Sequence, residues 1–255
     1  MNFYWRKTLG LIRSRLIYYW KPFNKRKLKG FYSTFIKPGD LCFDIGAHLG
    51  NRSDAWLSLG AKVIAVEPQP GCTEFLKNKF SHLPDFTLIE KAVGKEQGKA
   101  TLHISSLTPT VTTLSSENWR TMINESSGIH VAWDTQIEVE VITLDDLISQ
   151  YGIPAFCKID VENFELEVLE GLHEVIPALS VEFFSKTPDM TIACIKRLEA
   201  LGSYEYNWSF GESQKMVNKD WQNSRETINL LSNLSPGAPS SGDLYAKLIN
   251  VKNDQ

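Results

Sequence analysis

The chain has 255 residues, with a hydrophobic fraction of 42% and a charged fraction of 22%, which are ordinary values for globular proteins. This length fits one large α/β domain and is short for two. The composition excludes a collagen-like, coiled-coil or wholly disordered chain, and no apolar run is long enough to predict a transmembrane helix. The four cysteines are widely spaced and form no CxxC pair, so we predict neither a zinc ribbon nor a disulfide scaffold, but a cytoplasmic protein.

The net charge of −3 hides an asymmetry along the chain. Residues 1–30 hold nine of the 27 Lys and Arg residues and no acid, which leaves a balance of −12 on the rest. The apolar residues of this arm follow helical spacing: Trp5, Leu9, Ile12, Leu16 and Tyr19. Such a basic amphipathic helix can lie on an anionic membrane surface or pack on its own domain, and packing is the commoner case. We predict an arm over 1–30 and one domain over 31–255.

After residue 38, apolar runs alternate with amphipathic stretches, which is typical of βαβ units. Strands are predicted over 41–46, 62–67, 86–93, 99–104, 137–142, 155–160, 178–184, 203–210 and 243–251. Helices are predicted over 51–59, 71–80 and 163–171, after a capping box at Thr143 and Asp146, and from an Asp189 cap to about Leu201. Residues 105–130 show no period and are predicted to be a lid or substrate loop, and 232–242 a loop between the last two strands. This order predicts a doubly wound α/β fold.

The first predicted strand ends in the motif DIGAHLGN (44–51). Gly46 and Gly50 have no side chain, so the backbone there can approach a ligand closely. Their GxxxG spacing differs from the GxGxxG motif that binds a dinucleotide pyrophosphate. Asp44 would repel a phosphate and attract an ammonium group, and Glu67, at the end of the second strand, can accept both hydroxyls of a ribose. The combination suits a nucleoside with an amino-acid tail, such as S-adenosylmethionine.

Several longer motifs share one origin: PGDLCFDIGAHLGN (38–51), VEP (66–68), KAVG (91–94), TLDDL (143–147) and KIDVENFELEVLEG (158–171). Together they resemble the FkbM family of class I S-adenosylmethionine-dependent methyltransferases, over roughly residues 30–250. The last motif is the most family-specific, although Asn163 stands where the family pattern has glycine. Asn adopts a left-handed backbone more readily than most residues, so the turn can be kept. The resemblance implies a Rossmann-like sheet of seven strands and methyl transfer from S-adenosylmethionine.

The resemblance also implies roles for individual residues. Asp44 would meet the methionine amino group through water, Gly46 would let the cofactor lie flat, and Glu67 would hold the ribose hydroxyls. Lys91 and Ala92 would flank the adenine through backbone groups. The predicted cofactor-binding residues are Asp44, Gly46, Ala47, Gly50, Asn51, Glu67, Pro68, Lys91, Ala92 and Asp160.

Methyl transfer to a hydroxyl needs alignment of the acceptor and removal of its proton. The candidate bases or acceptor-orienting groups are Asp160, Glu162, Glu182 and His48. Asp160 and Glu182 end central strands, at the edge where ligands bind in this fold. Strand alternation predicts that Asp160 and Glu162 point toward the same face. The acids of the next predicted helix are expected to form a solvated face: Glu165, Glu167 and Glu170.

A magnesium site is an alternative at this edge, because Asp160 and Glu182 could join Asp145 or Glu162 as oxygen ligands. Some class I catechol-type methyltransferases use such a site with an Asp-Asn pair after the next strand. Here Glu182 is followed by two phenylalanines instead. We therefore predict no metal.

The acceptor is the least specified part of the prediction. Trp119 and Trp133 flank the irregular segment and are candidate acceptor contacts. We predict O-methylation of a sugar, glycolipid or secondary metabolite, no nucleic-acid partner, and residues 1–30 as a candidate peripheral membrane contact. One alternative is a Rossmann enzyme that uses nicotinamide or a nucleotide sugar, which the GxxxG spacing and Asp44 disfavour. The other is a non-catalytic cofactor-binding module, which Asp160 and Glu162 disfavour.

Overall fold

The computed structural model describes residues 24–115, 117, 120–121, 131–185, 187–234 and 237–249. The helices in these ranges are α1 (Asn24–Tyr32), α2 (Asn51–Leu57), α3 (Pro70–Phe80), α4 (Leu144–Tyr151), α5 (Glu165–Glu170), α6 (Pro188–Leu201) and α7 (Ser224–Ser232). The strands are β1 (Leu41–Ile45), β2 (Lys62–Val66), β3 (Phe86–Ile89), β4 (Ala92–Val93), β5 (Gly98–Ile104), β6 (Thr135–Ile142), β7 (Phe156–Ile159), β8 (Ala178–Phe184), β9 (Tyr204–Phe210) and β10 (Ser241–Leu248). Over this part of the chain, no helix combines the length and the apolar character needed to cross a membrane.

Seven strands form the main sheet in the order β3-β2-β1-β7-β8-β10-β9. The pairs from β3 to β8 are parallel, and β10 runs antiparallel to both of its neighbours. The chain winds outward in one direction from β1 and in the other from β7, so the order reverses between these two strands. Such a reversal leaves a crevice at the carboxyl edge of the sheet, beside the loops after β1 and β7, which is where ligands bind in such sheets. The predicted doubly wound, seven-stranded α/β fold is confirmed.

A second, smaller sheet has the order β4-β6-β5 and was not predicted. The predicted strand 86–93 is wrong in one respect, because it divides into β3 of the main sheet and β4 of the small sheet. Both halves are apolar, so periodicity alone shows no break, and only the different hydrogen-bond partners separate them. The division turns the chain at Glu90 and Lys91, which brings Lys91 to the edge of the crevice.

Two local predictions near helices also need correction. Asp189 is not the cap of α6: Thr187 precedes the helix, Pro188 opens it and Asp189 lies in its first turn. Proline suits the first helical position because its missing N–H has no partner there. Helix α7 was missed altogether. It is short, and its N-terminus is marked by the Asn223 side chain, which accepts a hydrogen bond from the Glu226 N–H at 2.9 Å.

The core lies on both faces of the main sheet, and α1 belongs to it. Leu28 and Tyr32 are buried, and the Tyr32 ring meets Trp56 edge to face with centroids 5.3 Å apart. All four cysteines are buried thiols. Helix α1 runs across the boundary predicted at residue 30, while residues 1–23 lie outside the described residues. The division into an arm and a domain, and the membrane contact of the arm, stay predictions.

Candidate active site

A cleft of about 700 Å³ lies at the carboxyl edge of the main sheet, between the loops that follow β1, β2 and β7. The predicted site residues that line it are Gly46, His48, Glu67, Pro68, Lys91, Ala92, Asp160 and Glu162. The predicted site residues that do not line it are Asp44, Ala47, Gly50, Asn51 and Glu182.

The two glycines of the first loop serve different contacts. Gly46 has φ 78°, and a Cβ there would overlap the backbone carbonyl oxygen of Asp160. Gly46 therefore lets the loops after β1 and β7 touch backbone to backbone beside the cleft. Gly50 has φ 74°, and a Cβ there would lie 2.7 Å from Leu76 and 2.8 Å from Phe80 of α3. Its glycine is explained by packing against α3, away from the cleft, and not by the ligand approach that the motif suggested.

Asp44 lies behind the cleft wall. Its Oδ2 accepts hydrogen bonds from the Ser53 backbone N–H at 3.1 Å and from the Ser53 hydroxyl at 2.5 Å. Burial raises the pKa of Asp44, and the Ser53 hydrogen bonds and the Lys158 ammonium oppose that rise. The carboxyl thus anchors the first turn of α2. Since Asp44 does not line the cleft, its carboxyl can reach a ligand there through an intervening water but not directly.

Glu67 faces the cleft with both carboxylate oxygens held in place. Oε2 accepts from the His48 backbone N–H and Oε1 from the Gln69 backbone N–H, each at 2.8 Å. Only 6% of the residue is exposed, and this burial raises the pKa of Glu67 to about 7 against the effect of the two hydrogen bonds. Each oxygen of a carboxylate keeps further acceptor capacity, so Glu67 can receive two more donors, such as the hydroxyls of a ribose. Gln69, which sequence reasoning missed, also lines the cleft.

Three carboxyl groups converge beside the cleft, at the carboxyl ends of β7 and β8 and in the turn that follows β7. Oxygens of Asp160, Glu162 and Glu182 all lie within 4.8 Å of one another. Behind them, the buried Lys158 Nζ lies 2.6 Å from Asp160 Oδ2 and 3.2 Å from Asp243 Oδ1. The sequence analysis did not identify Lys158 or Asp243 as part of the site. Lys158 opens the KIDVE motif and so carried a signal, whereas Asp243 comes from a distant strand and carried none.

Burial and neighbouring charges shift the pKa values of the three carboxyl groups and of His48 in different directions. Burial would raise the pKa of Asp160, but the Lys158 ammonium outweighs it and holds the pKa below its usual value. Burial raises the pKa of Glu162 and of Glu182 well above the ordinary glutamate value, and the Asp160 charge adds to the rise. Burial also lowers the pKa of His48 to about 4. These shifts favour the charged form of Asp160 and the protonated, neutral forms of Glu162 and Glu182, and they leave the His48 ring neutral at neutral pH.

Asp160 and Glu162 do point to the same place, but strand alternation, the predicted cause, is wrong. Strand β7 ends at Ile159, and Glu162 and Asn163 both adopt left-handed backbones, with φ 56° and 69°. This turn, and not the pleat of a strand, directs Glu162 toward the cleft. Asn163 keeps the left-handed conformation at the position where the family pattern has glycine, as expected.

Glu165 does not belong to a solvated helix face, which corrects another expectation. It is 1% exposed, and its Oε1 accepts a hydrogen bond from the Val161 backbone N–H at 3.0 Å. Burial raises the pKa of Glu165 to about 8. Glu167 and Glu170, farther along α5, are only partly buried. Glu165 is buried because it opens α5 directly after the Asp160–Glu162 turn and bonds back to Val161, a contact that helical periodicity cannot show.

Among the described residues, the carboxyl groups that lie close enough together to coordinate one metal ion are these same three. Asp145, the other ligand considered, is not near them and pairs instead with His173 on the surface, with Nδ1 2.7 Å from Oδ2. The raised pKa values of Glu162 and Glu182 oppose the ionised forms that a cation would need. The expectation that the enzyme needs no metal stays a prediction.

The segment predicted as a substrate loop forms one wall of the cleft. Its lining residues are Pro109, Thr110, Thr112, Thr113 and Leu114. Trp133 does not line the cleft: its Nε1 donates a hydrogen bond to the Val111 carbonyl at 2.9 Å and so holds this wall from behind. Trp119 lies outside the described residues. The acceptor contacts proposed for the two tryptophans are therefore predictions without support from the cleft lining.

Comparison with known proteins gives a family and several structural likenesses. Among solved structures, the chain is similar to a precorrin-6y C5,15-methyltransferase from Geobacter metallireducens (TM-score 0.45, 11% identity, covering 88% of this chain and 87% of that one). A TehB-like methyltransferase from Corynebacterium glutamicum gives 0.43 and 11%, covering 87% of each chain. The curated proteins contain no match. The model of the methyltransferase FkbM domain matches residues 44–198, which is more than half of the sequence and includes Glu67, Asp160 and Glu182. The chain therefore belongs to the FkbM methyltransferase family.

Proposed function

We propose that this protein transfers the methyl group of S-adenosylmethionine to a hydroxyl of a small molecule, such as a sugar, glycolipid or secondary metabolite. The observation that carries the proposal is the polarity of one cleft. The cleft is lined both by Glu67, a fixed diol acceptor, and by Asp160, a carboxylate whose pKa is held low beside the carboxyls of Glu162 and Glu182. Glu67 suits the ribose of a nucleoside, and Asp160 suits an acceptor group that must lose a proton.

The cofactor end of the cleft fits the nucleoside on observations independent of the family. Both oxygens of Glu67 are oriented by backbone donors before any ligand arrives, so little reorganisation is needed to bind a ribose. Lys91 and Ala92 line the neighbouring wall, where adenine would lie. S-adenosylmethionine supplies a methyl group on a positively charged sulfur, which makes that methyl reactive toward a nucleophile. Asp160 is the charged group that would face this end of the ligand.

At the acceptor end, Asp160 is the best candidate for removing the acceptor proton. It is the member of the cluster that is ionised at neutral pH, and it lines the cleft. Glu162 also lines the cleft, and its raised pKa favours the protonated form, which can donate a hydrogen bond and orient the acceptor. Glu182 supports Asp160 from behind the lining. The neutral His48 is the alternative base.

The charge of the cluster also restricts the acceptor. Close carboxyl groups that are already forced to keep protons would disfavour another anion beside them. A hydroxyl or ammonium donor is favoured, whereas a phosphate next to the reacting atom is disfavoured. This supports a neutral or cationic acceptor and argues against a nucleic acid.

The test begins with the ligand. Calorimetry should detect binding of S-adenosylhomocysteine and no binding of NAD, since the cleft lacks a phosphate-binding glycine motif. Methyl-labelled S-adenosylmethionine is then offered to panels of hydroxylated sugars, glycolipids and aromatic metabolites. Binding without methyl transfer to any panel would favour the non-catalytic alternative, and tight NAD binding would overturn the proposal.

Variants then separate catalysis from binding. Asp160→Asn should lower turnover by about 10²–10⁴-fold, the usual contribution of a general base, and leave S-adenosylhomocysteine affinity within a few-fold. Glu162→Gln should have a smaller effect, because glutamine resembles the protonated form that the raised pKa of Glu162 favours. Asp220→Asn, on the exposed surface, is the matched control. If Asp160→Asn lowers affinity and rate together, Asp160 anchors the cofactor and the base is another residue.

A further inference from the structure

The turn that carries Glu162 is strained, and side chains from another part of the chain hold it. Glu162 and Asn163 are consecutive residues with positive φ, a backbone conformation that is strained at most residues other than glycine. Such a turn persists only where the surroundings over-determine it. Here the surroundings are two hydroxyls of the segment that forms the opposite wall of the cleft.

Both hydroxyls donate to the carbonyl groups of the turn itself. Thr113 Oγ1 donates to the Glu162 carbonyl oxygen at 2.7 Å, and Ser115 Oγ donates to the Asn163 carbonyl oxygen at 2.7 Å. Thr113 Oγ1 also accepts from the Ser115 backbone N–H at 2.9 Å, so the two residues form one unit. Thr113 is 1% exposed and Ser115 6%, which shields these bonds from water.

The unit is itself fixed to the small sheet. Thr113 exchanges two backbone hydrogen bonds with His103 of β5, at 2.9 and 3.1 Å. Thr113 also lines the cleft. The wall that would contact the acceptor and the turn that would present Glu162 to it are therefore one hydrogen-bonded body.

We propose that Thr113 and Ser115 are positioning residues, which hold the left-handed turn so that the Glu162 carboxyl lies beside Asp160 in the acceptor site. The importance of this position for catalysis rests on the proposed methyl transfer, whereas the clamp on the turn does not. No signal in the sequence connects the two segments, because 49 residues separate Thr113 from Glu162.

The test compares Thr113→Val, which keeps the shape and removes the hydroxyl, with Thr113→Ser, which keeps the hydroxyl. Thr101→Val, an exposed position on β5, is the control. Amide hydrogen exchange is measured in a peptide that covers the turn after β7. Thr113→Val should raise exchange there by roughly tenfold, which corresponds to about 1.4 kcal/mol, while Thr113→Ser and Thr101→Val stay near wild type. Equal exchange in all proteins, or an equal rise in Thr113→Val and Thr113→Ser, would overturn the clamp.

Position is tested by crystal structures of wild type and Thr113→Val with S-adenosylhomocysteine. The proposal expects the Glu162 carboxyl to leave the neighbourhood of Asp160 in the variant while the ligand and Glu67 stay in place. An unmoved carboxyl would overturn the positioning role. With an acceptor in hand, kcat should fall while the acceptor KM stays within a few-fold. Absence of any methyl transfer by wild type would count against the proposed function and leave the exchange and crystallographic results to decide the clamp.

Discussion

Replacement of Glu67 by glutamine is the sharpest test of the cofactor end of the cleft. Each oxygen of the carboxylate already accepts one backbone N–H, from His48 or from Gln69. The amide nitrogen of glutamine must replace one of those oxygens and would then face an N–H donor. The variant loses one buried hydrogen bond and one acceptor for the ribose, although its size is unchanged.

The expected loss of affinity follows from these contacts. A hydrogen bond to a charged group contributes about 1.5–3 kcal/mol, so Glu67→Gln should weaken S-adenosylhomocysteine binding by about that amount. This corresponds to a rise in Kd of roughly 10- to 150-fold. Glu90→Gln, an exposed glutamate after β3 that does not line the cleft, is the control and should bind like wild type.

The pH dependence gives a second signature of the same residue. The pKa of Glu67 is raised to about 7, and a ribose diol needs the ionised form. Wild-type affinity should therefore rise with pH toward 7 and level off above it, because below this pH binding must first release a proton. Titration calorimetry across this range, with circular dichroism to check folding, measures both effects. An unchanged Kd in folded Glu67→Gln, or a pH profile equal to that of wild type, would refute the role of Glu67.

Three further predictions concern stability and the arm. Gly46→Ala should lower the free energy of unfolding in urea by more than about 2 kcal/mol, because Gly46 has a positive φ and a Cβ there would overlap the Asp160 carbonyl oxygen. Gly98→Ala is the control: a Cβ there meets nothing within 4 Å, so its free energy of unfolding should stay within about 0.5 kcal/mol of wild type. Burial raises the folded-state pKa of Glu165 to about 8 from an ordinary 4.5, so between these pH values the folded protein binds a proton that the unfolded chain does not, and the free energy of unfolding falls as pH rises. Glu165→Gln lacks this titration, so its free energy of unfolding should rise relative to that of wild type as pH increases through this window. Parallel plots of unfolding free energy against pH for the two proteins would contradict this. The sequence predicts that the arm packs on the domain, so deletion of residues 1–23 is expected to lower the unfolding temperature. An unchanged temperature with loss of salt-sensitive sedimentation on anionic vesicles would instead support a membrane contact.

Much of the fold could be predicted from the sequence because its signals are local. Strands β1, β2 and β8 are short apolar runs that end at turns, and a strand and a helix differ in the period of their apolar residues. The capping box at Thr143 and Asp146 is confirmed, with the Asp146 N–H bonded to the Thr143 hydroxyl at 3.1 Å. Helix α7 and the division of 86–93 were missed, since short elements and continuous apolar runs carry no period that separates them.

The candidate site divides in the same way. Asp160 and Glu67 were predicted because both stand at the carboxyl ends of central parallel strands, a position that chain order alone defines. The sequence also predicted that residues 105–130 contribute to a substrate site, and part of this segment lines the cleft. It did not predict that Gly50 packs on α3 or that Glu165 is buried, because both depend on which element lies opposite.

The sequence by itself determined the order of strands and helices, the family, and the positions along the chain where site carboxyls stand, because each of these depends on residues close together in the chain. Only the tertiary structure decided which of those carboxyls holds a charge. Asp160 is ionised because Lys158 lies 2.6 Å away, and Lys158 is oriented in part by Asp243, 85 residues farther on. Asp243 reaches it because β10 pairs with β8 in a register that places Asp243 opposite Glu182. Coulomb energies and burial depend on distances through space, and those distances exist only once the sheet has assembled.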